Sequence, residues 1–149
     1  IVFGDWSSDV CSSDLLAGSS IDVTKTVIVP DEVEAISSAI IALSDSDQLD
    51  LILTTGGTGV SPRDVTPDAT LRVLDKEIPG FSEAMRFESR KITPHAMISR
   101  AVAGIRGRSL IINLPGSPKG AVENLEAVLP AIPHAISKIQ GDPTDCAPN

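Results

Sequence analysis

The sequence predicts a three-layer α/β fold, an open and mostly parallel sheet with helices on both faces, and three observations carry that prediction. Short β-branched runs alternate with stretches of helical periodicity over residues 23–140, the order of a wound sheet with right-handed crossovers. Aromatic residues are only 3% of the 149, so the core is built from Val, Ile, Leu and Ala, as in a sheet buried on both faces. Gly- and Pro-rich or acidic turns follow the runs ending at Val29, Thr55 and Leu114, and in such sheets ligands sit beyond the carboxyl ends of the strands. With 42% apolar residues the chain can close one core of ordinary domain size.

Residues 1–15, IVFGDWSSDVCSSDL, repeat Ser-Ser-Asp and show no periodicity after Phe3. They are read as a polar linker or as a foreign segment, because Asp5–Leu15 resembles the translation of a short-read sequencing adapter fused to a truncated chain; residues 16–149 are then the single domain. Val23–Val29 predicts a strand closed by Pro30. Val33, Ile36, Ile40 and Leu43 follow at helical spacing, with Asp31, Glu32 and Glu34 in the first turn where the helix dipole favours acids. Leu49–Thr55 is a second strand, stopped by Gly56-Gly57. Thr66-Pro67-Asp68 offers a capping hydroxyl and a proline at the first helical position, which predicts a helix over about Pro67–Lys76, broken by Pro79-Gly80. Phe81–Lys91 is a helix with Phe81, Ala84, Met85 and Phe87 inward, and Thr93-Pro94 opens a short one toward Arg100. Strands Ala101–Ile105 and Ser109–Leu114 flank Arg106-Gly107-Arg108, and helices over Lys119–Leu129 and Pro130–Gln140 complete the chain.

Twelve Lys and Arg against twenty Asp and Glu give a net charge of −8, which argues against a polyanion held by bulk charge; the scarcity of aromatics argues against a base-stacking platform. The charge is uneven. Residues 1–50 carry ten acids and one base, Lys25, whereas residues 51–149 carry ten acids and eleven bases, so phosphate chemistry is expected in the second part. Cys11 and Cys146 stand far apart with no metal-ligand spacing, which predicts neither a disulfide framework nor a structural metal and makes a reducing cytoplasmic setting the default. No uncharged apolar run reaches the roughly 18–20 residues of a membrane span.

The segment TTGGTGVSPRDVTPDAT, Thr54–Thr70, concentrates glycines, hydroxyls, a base and acids directly after a buried strand. From Thr55 through Gly56, Gly57, Thr58 and Gly59 the backbone N–H groups can approach an anion closely, although the spacing is neither a Walker A loop nor GxGxxG. Arg63-Asp64 is either a surface ion pair or a phosphate-facing base beside a Mg²⁺-holding acid. In the turn Leu114-Pro115-Gly116-Ser117, Gly116 permits close approach, and Ser117 either donates to a ligand or caps the following helix. Asn113 is a ligand contact or a turn-former, and Asp31 a second carboxylate of the crevice or a plain first-turn acid. His95 and His134 are read as structural, while Lys91, Arg106 and Arg108 line the site or are solvated.

Four motifs in order, TTGGTG, PRDVTPDAT, ITPHAMISRAVAGIRGRSLIINLPGSPKG and LPAIPHAI, resemble the molybdopterin-binding (MoaB/Mog) family over about Val23–Gln140, most of all its gephyrin and plant G domains and bacterial Mog proteins. The resemblance implies a molybdopterin adenylyltransferase that uses ATP, molybdopterin and Mg²⁺ and releases pyrophosphate. It makes Gly56–Gly59 the phosphate- and pterin-binding loop, Asp64 the essential acid, Asp31 a second functional carboxylate and Leu114–Ser117 the nucleotide turn. It also implies a homotrimer and a fused or separate molybdenum insertase domain, with no nucleic acid and no membrane partner. A non-catalytic pterin-binding or scaffold module, or an insertase-type domain of the same fold, stands as the alternative. Members usually begin with a Ser-Asp strand, a Gly-rich turn and an Asp-x-Ser-Gly helix start; IVFGDWSSDVCSSDL stands there instead, so the first strand and helix are expected to be missing.

Overall fold

Alternation along the central strand sets the layers. In Ser109–Leu114, Leu110, Ile112 and Leu114 join one apolar cluster and Ile111 the other, all at 0% exposure, so both faces of the sheet are covered. The computed structural model describes residues 2–3 and 21–143. Its strands are β1 (Val2–Phe3), β2 (Val27–Ile28), β3 (Leu51–Thr55), β4 (Lys76–Glu77), β5 (Ala103–Arg106) and β6 (Ser109–Leu114), in the order β2-β1-β3-β6-β5-β4. β2, β1, β3 and β6 are parallel, and β5 and β4 extend the sheet by antiparallel pairing. The sheet is mostly parallel, as expected, and the antiparallel β5 and β4 at one edge make it a mixed one.

Helices α1 (Val33–Ile41, continued by a π-helical turn over Ala42–Ser46) and α2 (Thr66–Leu71) cover one face through Ile36, Ile40, Leu43, Ala69 and Val73, packed on Ile52 and Ile111. The other face carries α3 (Pro79–Arg90), α4 (Pro118–Val128) and α5 (Ile132–Ile139), whose Phe81, Met85, Leu125, Val128 and Ile132 pack on Leu53, Leu110, Ile112 and Leu114.

Several expectations are corrected. The place of the first strand, expected to be empty, is filled: Val2–Phe3 runs between β2 and β3, paired with Val27–Ile28 and Thr54–Thr55. An apolar, β-forming N-terminus can complete a backbone ladder between two parallel strands. The expected loss of the first helix, the adapter-like segment after Phe3, and Cys11 and Cys146 lie outside the described residues. The helix expected over Pro67–Lys76 stops at Leu71, because Asp75 N–H donates to Ile105 O (2.7 Å) and Ile78 N–H to Ala103 O (2.8 Å), drawing Lys76–Glu77 into the sheet. Thr66 is the first helical residue, not the cap; Val65 holds that place and caps with no side chain. Phe87, expected inward, is 63% exposed, since Phe81 and Met85 already fill the inner face of α3.

Candidate functional site

Because β3 and β6 are neighbours in register, with Thr55 opposite Leu114, the turns that follow them leave the sheet side by side. Gly56 N–H donates to Leu114 O at 3.1 Å, and a Cβ on Gly116 would stand 3.1 Å from Gly56 Cα, so the two backbones cross where only glycine fits. Gly56 (φ 93°) and Gly57 (φ 63°) adopt the left-handed region, and Thr66 N–H donates to Gly57 O at 3.2 Å, pinning the return of the loop onto α2. Among the described residues nothing accepts the N–H groups of Gly57, Thr58 and Gly59 in the first turn or of Gly116 and Ser117 in the second. Thr55 ends β3 at 2% exposure, and its hydroxyl is a buried oxygen without a partner among the described residues.

The acids sit at the rim of this crossing. Asp64 closes the Ser61–Asp64 turn, its N–H donating to Ser61 O (2.9 Å) while its Oδ2 accepts from Ser61 N–H (2.7 Å). A Cβ on Gly59 would lie 2.8 Å from Asp64 Oδ2, so the glycine makes room for the carboxylate. Asp31, with a side chain 10% exposed, places Oδ2 3.6 Å from the guanidinium of Arg63, the residue that precedes Asp64 in the chain.

Arg100 had no role in the sequence beyond ending a helical turn, yet it organises the loop. Its N–H donates to Thr58 O (2.8 Å), and its guanidinium donates to Asp64 O (3.0 Å) and Asp68 Oδ1 (2.6 Å). The hydrogen bond from Arg100 holds the Asp68 carboxyl below its ordinary range, and the same bond raises Arg100. Both side chains are well exposed, so the pair contributes little stability and acts by position.

Asn113 is neither of the things expected. It is fully buried, donating from Nδ2 to Thr54 Oγ1 (2.9 Å) and Thr70 Oγ1 (3.0 Å), and its Oδ1 accepts from Val102 N–H. The side chain ties β3, β6 and α2 together beneath the crevice. Leu114 likewise gives its side chain to the core and only its carbonyl to the crossing. Ser117 caps α4, accepting from Gly120 N–H at 3.3 Å, while also bordering the open space. Lys91 pairs with Glu88, Arg106 with Asp45, and Arg108 is exposed on the β5–β6 turn, so none of these bases faces the crevice.

That open space is a cleft of about 260 Å³ between the Thr58-Gly59 loop, the Pro115–Ser117 turn and the facing sides of α3 and α4. Arg86, Ser89, His95, Glu123 and Asn124 line it; His95 therefore belongs to the cleft, and the others carried no signal because they come from segments far apart in sequence. Among the described residues no group of three or more His, Cys, Asp or Glu is placed to hold a metal, and no helix is long and apolar enough to cross a membrane.

Adjacent parallel strands ending in crossed glycine turns, with N–H groups that have no acceptor among the described residues and an acid at the rim, have the arrangement that can receive an anion beyond the strand ends of an α/β sheet. The family described as "Probable molybdopterin binding domain" matches residues 9–134, and the chain belongs to that family. A molybdopterin adenylyltransferase of Helicobacter pylori strain J99 is 53% identical over 115 residues, 77% of this chain and 65% of that protein. Gephyrin of Dictyostelium discoideum is 51% identical over 126 residues, 85% of this chain but 17% of gephyrin. Among solved structures, the molybdopterin biosynthesis enzyme MoaB of Thermus thermophilus is 45% identical, with a TM-score of 0.83 over 97% of each chain. The chain thus spans less than two thirds of the Helicobacter relative.

Proposed function

We propose that the crevice is the active site of a molybdopterin adenylyltransferase, transferring AMP from ATP to the terminal phosphate of molybdopterin with release of pyrophosphate. The observation that carries this is the crossing of two turns whose five N–H groups have no acceptor among the described residues, one turn for each anionic substrate; the relative from Helicobacter supplies the reaction. A terminal phosphate oxygen of the pterin forms a bond to the α-phosphorus as the bond from that phosphorus to the bridging oxygen breaks, and pyrophosphate leaves. Bringing two anions together makes positioning and charge neutralisation the protein's task. The amides of Gly57, Thr58 and Gly59 and the Thr55 hydroxyl hold phosphate oxygens, Arg63 faces them with Asp31 behind it, and Pro115, Gly116 and Ser117 hold the nucleotide. Asn113 and Leu114 support that turn from beneath.

Asp64 suits Mg²⁺: its Oδ1 accepts no hydrogen bond among the described residues, and Mg²⁺ is commonly held by one or two carboxylates together with substrate phosphates. Asp64 would hold the ion, which when bound neutralises phosphate charge. Asp64→Asn should keep pterin binding and lose adenylyl transfer by about 100-fold or more, read as pyrophosphate release from ATP and molybdopterin; full residual release would sink the assignment. The gephyrin relative, of which this chain spans 17%, favours a second possibility, a non-catalytic pterin-binding or scaffold module or an insertase-type domain of the same fold; pyrophosphate release by the wild-type chain from ATP and molybdopterin excludes it, whether or not an insertase domain accompanies this one. A homotrimer formed through the exposed Phe87, Ile92 and Met97, working in the cytoplasm, completes the proposal. Phe87→Ser with Met97→Ser should yield monomers by light scattering.

A further inference from the structure

The cleft beside the crossing holds a carboxylate that the proposed chemistry does not use. On α4, Gly120, Glu123 and Asn124 follow Ser117 along the side turned to the cleft, while Ala121, Leu125 and Val128 go to the core. Across from them Arg86 and Ser89 stand on α3 one turn apart. Most of these groups are already committed. Arg86 donates to Ser99 O (3.4 Å), Ala101 O (3.1 Å) and Ser82 Oγ (3.2 Å), and so fixes the segment leading into β5. The amide of Asn124 spends both hydrogens, one on Ser89 Oγ (3.0 Å) and one on Gly120 O (2.7 Å), which ties α4 to α3 across the cleft.

Glu123 is different. Its ion-pair partner is Lys119 at 3.7 Å, and Lys119 is 81% exposed while Glu123 is 30% exposed, so the carboxylate is held loosely and remains an acceptor toward the cleft. A carboxylate in a site for two anionic substrates is repulsive unless it meets the part of a ligand richest in donors. An ionised carboxylate only accepts, and its two oxygens match two parallel N–H groups. Adenine presents an amino donor beside a ring acceptor, the pattern that an amide side chain reads. The pyrimidinone ring of a pterin presents an amino group beside a ring N–H, two donors side by side. We propose that Glu123 is the specificity-determining residue for the pterin, its carboxylate accepting from the 2-amino group and the adjacent ring N–H, so that the cleft between α3 and α4 takes the pterin ring and refuses adenine. This rests on the adenylyltransferase proposal for the identity of the substrates.

The test uses the wild-type chain and Glu123→Gln, titrated by fluorescence with 6-carboxypterin and with 6-carboxylumazine, in which an oxo group replaces the 2-amino group. Wild type should bind the pterin at least about tenfold more tightly than the lumazine, because a site built to accept a hydrogen bond rejects the analogue lacking the donor. Glu123→Gln should bring the two within about threefold of each other with ATP binding unchanged, and Glu123→Asp, which keeps the carboxylate, should retain the preference. Equal binding or no binding of the two probes by wild type, a preference that survives in Glu123→Gln, or an equal loss of ATP binding would each overturn the assignment. Pyrophosphate release separates the two proposals: a Glu123-dependent preference without release sinks only the reaction, and release with a Glu123-independent preference sinks only the role of Glu123.

Discussion

At the far end of the sheet from the crevice, the β5–β6 turn carries Gly107 at φ 54° and Arg106 clamped on an aspartate; the crevice carries Gly56 and Gly57 at positive φ and Arg100 clamped on Asp68. The parts are alike but differ in what is left open. Arg106 engages both oxygens of Asp45 (3.0 and 2.6 Å) and Val73 O (2.9 Å), and Gly107 N–H donates to Asp75 (2.7 Å). A Cβ on Gly107 would meet nothing within 4 Å. At the crevice a Cβ on Gly116 would press on the Gly56 backbone and one on Gly57 on the Thr66 side chain, and among the described residues nothing accepts the amides beyond them. A glycine at positive φ is thus not itself the mark of a site. Tight backbone approach combined with unsatisfied donors is, since a fold completes the hydrogen bonds it needs for itself.

The largest expected effect breaks this comparison if it fails. Gly57→Ala forces a side chain into the left-handed region, a cost of roughly 1–2 kcal/mol, and its Cβ would run into Thr66 Oγ1. Displacing the loop should lower adenylyl transfer by about 100-fold or more, with a lower Tm. Gly107→Ala carries the same backbone penalty of roughly 1–2 kcal/mol without a collision, so it should lower Tm alone and leave pyrophosphate release per folded molecule unchanged. An equal loss of activity in both would remove the distinction between the two ends.

The arginines sharpen it at a smaller scale. Replacing the planar fork by a single ammonium should matter at both places, but differently. Arg100→Lys releases Asp64 O and Asp68 and should cost about tenfold in transfer with little change in Tm, because the pair is exposed. Arg106→Lys should lower Tm by about 2–4 °C with transfer intact. Denaturation scans beside pyrophosphate assays on the two variants read both effects, and matching profiles would contradict the division of labour.

Why the sequence shows one half of the site and not the other follows from the same contrast. The crossing is legible because its requirements are local: Gly56 and Gly57 answer left-handed backbone positions, Gly59 makes room for the Asp64 carboxylate five residues on, and all three follow closely on an apolar strand. The cleft wall is not, because Ser89 and Asn124 become neighbours only when α3 packs on α4, and nothing in either helix names the other. Asn113 misled for a related reason: a polar residue at a strand end reads as exposed until Thr54 and Thr70 are seen to surround it. The short β4 was hidden because Lys76–Glu77 has no strand pattern and pairs only through its backbone with β5. Val2–Phe3 was hidden by the biased composition that follows it.

The smallest expected effect is acidic. Asp68 and Asp45 are each held below the ordinary 3.8, in both cases chiefly by a hydrogen bond from the clamping arginine. A folded-state value below the unfolded one means that each pair contributes its full stability above about pH 4 and loses it as pH falls through the depressed value. The two losses should read out in different places. Protonating Asp68 frees Arg100 and with it the Thr58–Asp64 loop, whereas protonating Asp45 loosens the β5–β6 turn. Amide protection factors, corrected for the intrinsic exchange rate, should fall as pH drops below the ordinary carboxylate range at the crevice loop and at Gly107 alike, with both falls weakened in high salt because the pairs are exposed. In Asp68→Asn the crevice step should vanish while the Gly107 step stays. Persistence of both would mean that Arg100 holds the loop through Thr58 O and Asp64 O alone, and that the carboxylate at that end is as dispensable as the structure makes the one at the other end necessary.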